Sequence, residues 1–290
     1  MKISEFVKIS NSSVTLIVLI VTVSVSSFLA NPNSTTNLII LLPLIGAGYL
    51  MSMSAVLFNN IYDRDVDGLM DRTSFRVPLV NENLAKLKFI SILSFALGFA
   101  VAFLLINYLA TIFLTLGLLS YSVLYTVILK RKTVLNIVIG SIAGSFASLS
   151  GWMSGGIVFD LFPVLISLFV FAWMSFHFLV FSLVHSEDYK NTNIPMLPAR
   201  RGAITSIHVI SLNAGIVIAL SFIPVVLRSG LSLVSYLIIM LLMGSFLVVF
   251  TLKLNGRNYR GNFAKGLLNF SVVYLIIMLL SLGFTNIVLR

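Results

Sequence analysis

No cysteine occurs in the 290 residues, which removes disulfides, thiolate metal sites and cysteine nucleophiles from consideration. Charge is nearly as scarce. Asp, Glu, Lys and Arg together make up 10% of the chain, against about a quarter in a soluble domain. Acidic residues are the rarer sign, nine against nineteen Lys and Arg. What is present instead is apolar: 59% of the residues are hydrophobic and the mean hydropathy is +1.07. These values describe an integral membrane protein, with one all-α bundle over 1–290 and no separate soluble domain. A net charge of +10 suits nucleic acid in a soluble chain, but in a polytopic one it sets orientation. Residues 1–9 lead into a long apolar run without a small-residue cleavage motif, so no cleaved signal is expected.

Crossing the hydrocarbon core takes about 20 apolar residues. Runs near that length sit at 13–31, 37–58, 87–106, 108–129, 135–157, 160–183, 204–227, 231–252 and 266–288, predicting about nine transmembrane helices. Ile106-Asn107-Tyr108 makes the third and fourth a tight hairpin. Nine spans put the N-terminus and the loops after the second, fourth, sixth and eighth helices on one side. That side holds 17 of the 19 basic residues, all but Arg228 and Arg290. Positive-inside sorting makes it cytoplasmic, and therefore the N-terminus cytoplasmic. Eight of the nine acidic residues, all but Asp160, lie there too. Asp63, Asp65, Asp67, Asp71 and Glu82 follow the second span, and Glu187 and Asp188 follow the sixth. Orientation rules say little about carboxylates, so these clusters require their own explanation.

Asp63-x-Asp65-x-Asp67-Gly68 opens like a calcium loop, but the twelfth position, which needs a bidentate Glu, is Ser74. A solvated loop of mutually paired Asp and Arg is the plain alternative. The spacing favours a third reading. Asn59, Asp63, Asp67 and Asp71 recur every four residues and share one face if the second helix continues through them. Like charges at that spacing repel, and a divalent cation between Asp63 and Asp67 turns the cost into a site. Oxygen ligands alone suit Mg2+, which keeps waters and shares its shell with substrate phosphates. Arg64, Arg72 and Arg76 add anion contacts. Carboxylates, Mg2+ and arginines at a membrane surface describe a site for a lipid diphosphate. The chemistry permitted is ionisation, in which the departing pyrophosphate is stabilised and an allylic carbocation is left for an acceptor.

These residues resemble the UbiA-type intramembrane prenyltransferases, whose signature Asn-x-x-x-Asp-x-x-x-Asp is matched by Asn59, Asp63 and Asp67. Within the family the likeness is nearest to the heme-modifying branch. It is carried by 59–73 with its Arg72-Thr73 pair, by 125–152 with Lys130-Arg131-Lys132, Asn136, Gly140, Gly144 and Gly151-Trp152, by 173–178 and 187–198, and by 263–275. Phe176 and Val134 stand where the family usually has Pro. The second aspartate triad of the wider family is reduced to Glu187-Asp188-Tyr189, as in the heme branch. The resemblance implies transfer of a farnesyl group from farnesyl diphosphate to a vinyl group of protoheme IX, with water quenching the resulting cation. It implies that Asp63 and Asp67 hold Mg2+, that Asn59 positions metal or phosphate, and that Arg72, Arg76, Lys130 and Lys132 neutralise the diphosphate. Asp188 and Tyr189 then cap the site from the opposite loop, Asp188 through a second metal. A plasma-membrane location and handover to heme-modifying or terminal-oxidase assembly proteins follow from the same likeness.

His177 lies within the sixth span, where a polar side chain is costly and tends to face a cavity. A hydrogen bond to a neighbouring helix is one reading, and a porphyrin contact is the other. Asp188 is eleven residues on, about 20° away on an ideal helix, so the two would face one cavity. His185 reads as structural and His208 has no assigned role. Gly140, Gly144, Gly151, Gly155 and Gly156 read as close helix packing, and Lys253, Arg257, Arg260 and Lys265 as headgroup anchors. Leu254-Asn255-Gly256 reads as a turn. Two alternatives stay open. One is prenyl transfer to a hydroxybenzoate, naphthoate or glycerol-phosphate lipid acceptor. The other is a cation transporter, disfavoured because both acidic clusters lie at one membrane face and transporter sites tend to the midplane.

Overall fold

The computed structural model describes residues 6, 9, 13–31, 36–156, 160–222, 224, 232–254 and 261–288. The described elements are helical, as a lipid-embedded backbone that must satisfy its own hydrogen bonds requires. The long helices are α1 (Ser13–Ala30), α2 (Thr36–Tyr62), α3 (Leu84–Leu105), and α4 (Tyr108–Leu119, continued by Ser120–Leu129). They are followed by α5 (Asn136–Gly140 and Ile142–Gly155), α6 (Leu161–Val184), α7 (Leu197–Ser221), α8 (Ser232–Leu252) and α9 (Asn262–Val288). Among the described residues, eight of these, α2 to α9, are long and apolar enough to cross a membrane. The qualifying stretch of α1 is shorter, Val18–Ala30, so the ninth span remains an expectation.

Local chemistry sets the ends. Asn107 breaks α3 from α4 and caps the latter, its Oδ1 accepting from Ala110 N at 2.8 Å. Asp160, the one carboxylate expected on the opposite side from the acidic loops, caps α6 by accepting from Phe162 N at 2.9 Å. Several boundaries differ from the sequence reading. α2 runs on to Tyr62, α3 and α9 start earlier at Leu84 and Asn262, and α7 starts at Leu197 because a polar Ala-Arg-Arg-Gly turn precedes its apolar run. Lys2, Lys8, Arg228, Arg257, Arg260 and Arg290 lie outside the described residues, as do Asn255 and Gly256 of the expected turn.

The bundle is inverted relative to a soluble protein. Ile39, Leu42, Phe89, Ile92 and Leu104 are exposed, while Ser26, Ser27, Ser148, Ser150, Ser154 and Ser221 are buried. Lipid offers apolar helices no hydrophobic reason to associate, so contact comes from small residues and hydrogen bonds. Ser26 and Ser148 hydroxyls meet at 3.1 Å and Ser154 donates to Ser27 at 3.0 Å, tying α1 to α5. Gly151 and Gly155 lie along the same seam. A Cβ at Gly155 would run into the Ser27 carbonyl, and one at Gly151 into that of Val23. Gly155→Ala is therefore expected to prise α1 from α5 and cost about 1–3 kcal/mol, read as a fall in the thermal midpoint of detergent-purified protein.

α5 and α6 are the most enclosed of the spanning helices. On α6, Phe176, Leu179, Val180 and Leu183 form the main core with residues of α7 and α9. The helix runs through Phe176 unbroken. At one end of the bundle the connections after α2, α4 and α6 meet. Ile9 packs there with Leu57, Val80 and Leu87, its carbonyl accepting from Asn60 Nδ2 at 2.7 Å.

Candidate active site

α2 stops at Tyr62, yet its repeat continues. Asp63 N donates to Asn59 O, and Asp67 N to Asp63 O, both at 2.8 Å. The short helix Arg64–Asp67 carries this register forward, so Asn59, Asp63 and Asp67 share a buried face, with Asp63 wholly inaccessible. From Gly68 the chain turns, and Asp71, expected on the same stripe, is exposed on the turn instead. Thr73 Oγ1 donates to Asp67 O at 2.9 Å and fixes the end of the segment.

Each aspartate has cationic partners. Lys130 Nζ donates to Asp63 Oδ2 at 2.5 Å, and Asn59 Nδ2 to the same oxygen at 2.7 Å. Arg131 reaches Asp63 Oδ1 at 3.2 Å and chelates Asp65 at 2.8 Å through both terminal nitrogens. Arg76 donates to Asp67 Oδ2 from Nη2 at 2.7 Å and from Nε at 3.1 Å. Across the mouth, Arg72 stands 3.8 Å from Asp188, which comes from the short helix Ser186–Lys190. Because α6 ends at Val184, a continuous-helix projection from His177 to Asp188 does not apply. The carboxylate instead closes the site from the far loop. Tyr189 is buried beside it.

The expected Lys132 is not brought to this cluster; it is exposed on a neighbouring cleft. Its neighbour Arg131 stands in the cluster, and the cause is the backbone. Ser120–Leu129 is π-helical, a rare form that is frequent at functional sites, and Lys130 N donates five residues back to Tyr125 O at 2.8 Å. Residues five apart therefore stack. Lys130 Nζ lies 5.9 Å from the Tyr125 ring. Thr126 donates to Tyr121 O at 2.9 Å and accepts from Asn59 at 3.1 Å. Tyr121 and Tyr125, stacked at 5.7 Å, share the fields of Asp63 and Tyr189. These two tyrosines were not among the residues singled out from sequence. Nothing in the sequence of Ser120–Leu129 marks them, because counting at the α-helical period fails across a π segment.

Four carboxylates (Asp63, Asp65, Asp67, Asp188) thus meet four cations (Arg72, Arg76, Lys130, Arg131), leaving the cluster without net charge. Burial raises the Asp67 carboxyl above its usual range despite Arg76 and Lys130, whereas the Arg131 hydrogen bonds hold exposed Asp65 below it. Arg72 Nε is buried without a hydrogen-bond partner among the described residues, a donor left for an incoming anion. No group of three or more metal-binding His, Cys, Asp or Glu side chains occurs among the described residues. The candidate donors are the two buried carboxylates of Asp63 and Asp67, with the Asn59 amide beside them. That fits a hard cation which completes its shell with water and substrate phosphate.

Deeper in α6, His177 stacks on Trp173 with ring centres 5.2 Å apart. The Ser271 hydroxyl lies 2.7 Å from His177 Nδ1 and 2.6 Å from Leu268 O, and its one hydrogen can go to either. His177 Nε2 has no hydrogen bond among the described residues. Trp173 Nε1 donates to Ser271 O at 2.6 Å and holds the pair in place. The hydrogen-bond reading and the ligand reading are thus compatible, one at each ring nitrogen. His185 caps the end of α6 and packs on Phe181 at 4.5 Å, with burial and Arg72 depressing its basicity. His208 is exposed on α7.

Such a fold and cluster define an integral membrane enzyme with a buried acidic pair at one end of a helical bundle. Residues 18–286 match the UbiA prenyltransferase family. The chain is 38% identical to protoheme IX farnesyltransferase 2 of Picrophilus torridus over 96% of both proteins. It is 33% identical to the protoheme IX farnesyltransferase of Saccharolobus islandicus over 96% of this chain and 95% of that one. Its fold is similar to that of a digeranylgeranylglyceryl phosphate synthase, with TM-score 0.75, 17% identity and 98% of each chain covered. A UbiA homologue from Archaeoglobus fulgidus bound to DMAPP and Mg2+ is similarly close, with TM-score 0.74, 17% identity and 99% and 100% covered. The chain belongs to the UbiA prenyltransferase family.

Proposed function

We propose that this prenyltransferase transfers a farnesyl group from farnesyl diphosphate to a vinyl group of protoheme IX, giving heme O. The observation that carries the reading is the full-length likeness to protoheme IX farnesyltransferases. It is supported by the convergence of Asp63, Asp67, Lys130, Arg131 and Arg76 at one end of the bundle. In this reading the site end faces the cytoplasm, the protein lies in the plasma membrane with nine spans in a single domain, and the product passes to heme-modifying or terminal-oxidase assembly proteins.

Asp63 and Asp67 would hold Mg2+, with Asn59 beside them and Asp188 the candidate for a second ion. When bound, the metal supplies positive charge to the leaving pyrophosphate. Lys130 and Arg76 exchange part of their contact with the aspartates for phosphate oxygens, and Arg72 offers its Nε, which faces Asp188 at 3.8 Å without a hydrogen bond. Lys132, away from the cluster, has no part in this step. The C–O bond breaks with both electrons leaving on pyrophosphate, and the allylic C1 is left electron-poor. Tyr121, Tyr125 and Tyr189 line the inner side of the cluster and keep bulk water from that carbon. The vinyl group attacks C1, and the new cation beside the macrocycle takes water and releases a proton. His177 would contact the porphyrin from within the bundle.

Membranes overexpressing the chain are expected to gain heme O by pigment chromatography. Labelled prenyl groups reaching only a quinone precursor or a glycerol-phosphate lipid would replace this acceptor with another. His177→Ala is expected to raise KM for protoheme about tenfold or more, the loss of one good ligand contact, and to spare diphosphate ionisation. An equal fall in both would remove His177 from the porphyrin.

A further inference from the structure

Arg200 and Arg201 take no part in the chemistry above. They line an open cleft of about 530 Å3 together with Arg131, Lys132, Thr133, Val134 and Pro195. Arg72, Arg76, Lys130, Arg131 and Lys190 each have a carboxylate within 4.0 Å. Lys132, Arg200 and Arg201 have none among the described residues. The backbone maintains this arrangement. Gly202 sits at φ 81°, ψ 169°, a region essentially closed to other residues. The turn Leu197–Arg201 is thereby broken away from the rest of α7.

We propose that this cleft seats the two propionate carboxylates of the porphyrin acceptor, an inference that rests on the heme reading above. Two anion seats are present, the adjacent guanidinium pair Arg200–Arg201 and the Lys132 ammonium, whereas the terminal nitrogens of Arg131 are already given to Asp63, Asp65 and Tyr62 O. Guanidinium groups grip carboxylates through paired hydrogen bonds. A dicarboxylate fills both seats, whereas a single lipid phosphate fills one. Val134 and Pro195 give the cleft an apolar rim for the macrocycle. Arg131 also bonds Asp63 and Asp65, so the cleft and the diphosphate cluster share a wall. In protoheme the propionates lie on the edge opposite the vinyl groups. Anchoring the polar edge in the cleft leaves the vinyl edge turned into the bundle, where C1 becomes electrophilic.

The test compares protoheme with its dimethyl ester, identical in iron, macrocycle and vinyl groups, on protein in neutral phosphatidylcholine vesicles. Wild type is expected to show roughly tenfold higher KM for the ester, the combined worth of two exposed ion pairs. In R200Q/R201Q the acid should rise part of the way to the ester's value, the Lys132 seat remaining, and in R200Q/R201Q/K132Q the whole way, with the ester and farnesyl diphosphate constants unmoved. Gly202→Ala meets no atom within 4 Å and removes no charge, yet should shift the acid in the same direction. Equal use of acid and ester by wild type overturns the proposal, as does a parallel loss for both in the double variant. A variant defect confined to vesicles containing phosphatidylglycerol assigns the cleft to lipid and likewise overturns it. If wild type converts neither porphyrin, the heme reading itself fails and takes this inference with it.

Discussion

Asp63→Asn is expected to lower turnover by about a thousandfold or more, some 4 kcal/mol of transition-state stabilisation, and to destabilise the folded bundle as well. The second effect follows from pairing. Asp63 is wholly buried against Lys130 and Arg131, and removing one partner of a buried ion pair costs about 3–5 kcal/mol because the other charge stays behind. An uncompensated acidic stripe, as the sequence alone suggests, would lose nothing in stability when neutralised. The two effects separate in Asp63→Asn/Lys130→Met. Removing both charges should recover much of the thermal midpoint, since apolar replacements of buried pairs are often neutral or better. Turnover should stay lost. A folded Asp63→Asn protein within tenfold of wild-type turnover would take the acidic pair out of the chemistry.

How far the site was legible follows from backbone register. The spacing of Asn59, Asp63 and Asp67 carried through because four-back hydrogen bonds persist beyond the end of α2. Asp71 fell off the stripe because the chain turns at Gly68. Lys130 was legible, but the choice between Arg131 and Lys132 was not. α-Helical counting fails across a π segment, and nothing in Ser120–Leu129 announces one. The spans were readable because hydrocarbon thickness fixes their length. The turn before Gly202 was not, since its arginines lie outside any apolar run. Asp188 stands opposite the first loop by another route than helical projection from His177: a break at His185, not one continuous helix, delivers it to Arg72.

Removing divalent metal is expected to weaken binding of farnesyl diphosphate by at least about a hundredfold, some 2.7 kcal/mol, and to abolish turnover. Charge balance supplies the reason. Four carboxylates and four cations cancel at the mouth of the site, so the cluster itself offers a polyanionic diphosphate no net attraction, and Lys132, Arg200 and Arg201, unpaired among the described residues, lie in the neighbouring cleft. Each cation released to phosphate leaves an aspartate bare. One unit charge pair at 4 Å near a protein surface is worth about 4 kcal/mol, so a divalent ion between the aspartates and the diphosphate outweighs the deficit. Lys130 and Arg76 then turn to phosphate without exposing a buried negative charge. Equilibrium dialysis of labelled substrate in excess chelator, then with Mg2+ restored, measures this without relying on catalysis. Unchanged affinity in chelator would mean that the cations suffice by themselves, and that Asp63 and Asp67 serve only to hold Lys130, Arg131 and Arg76 in place.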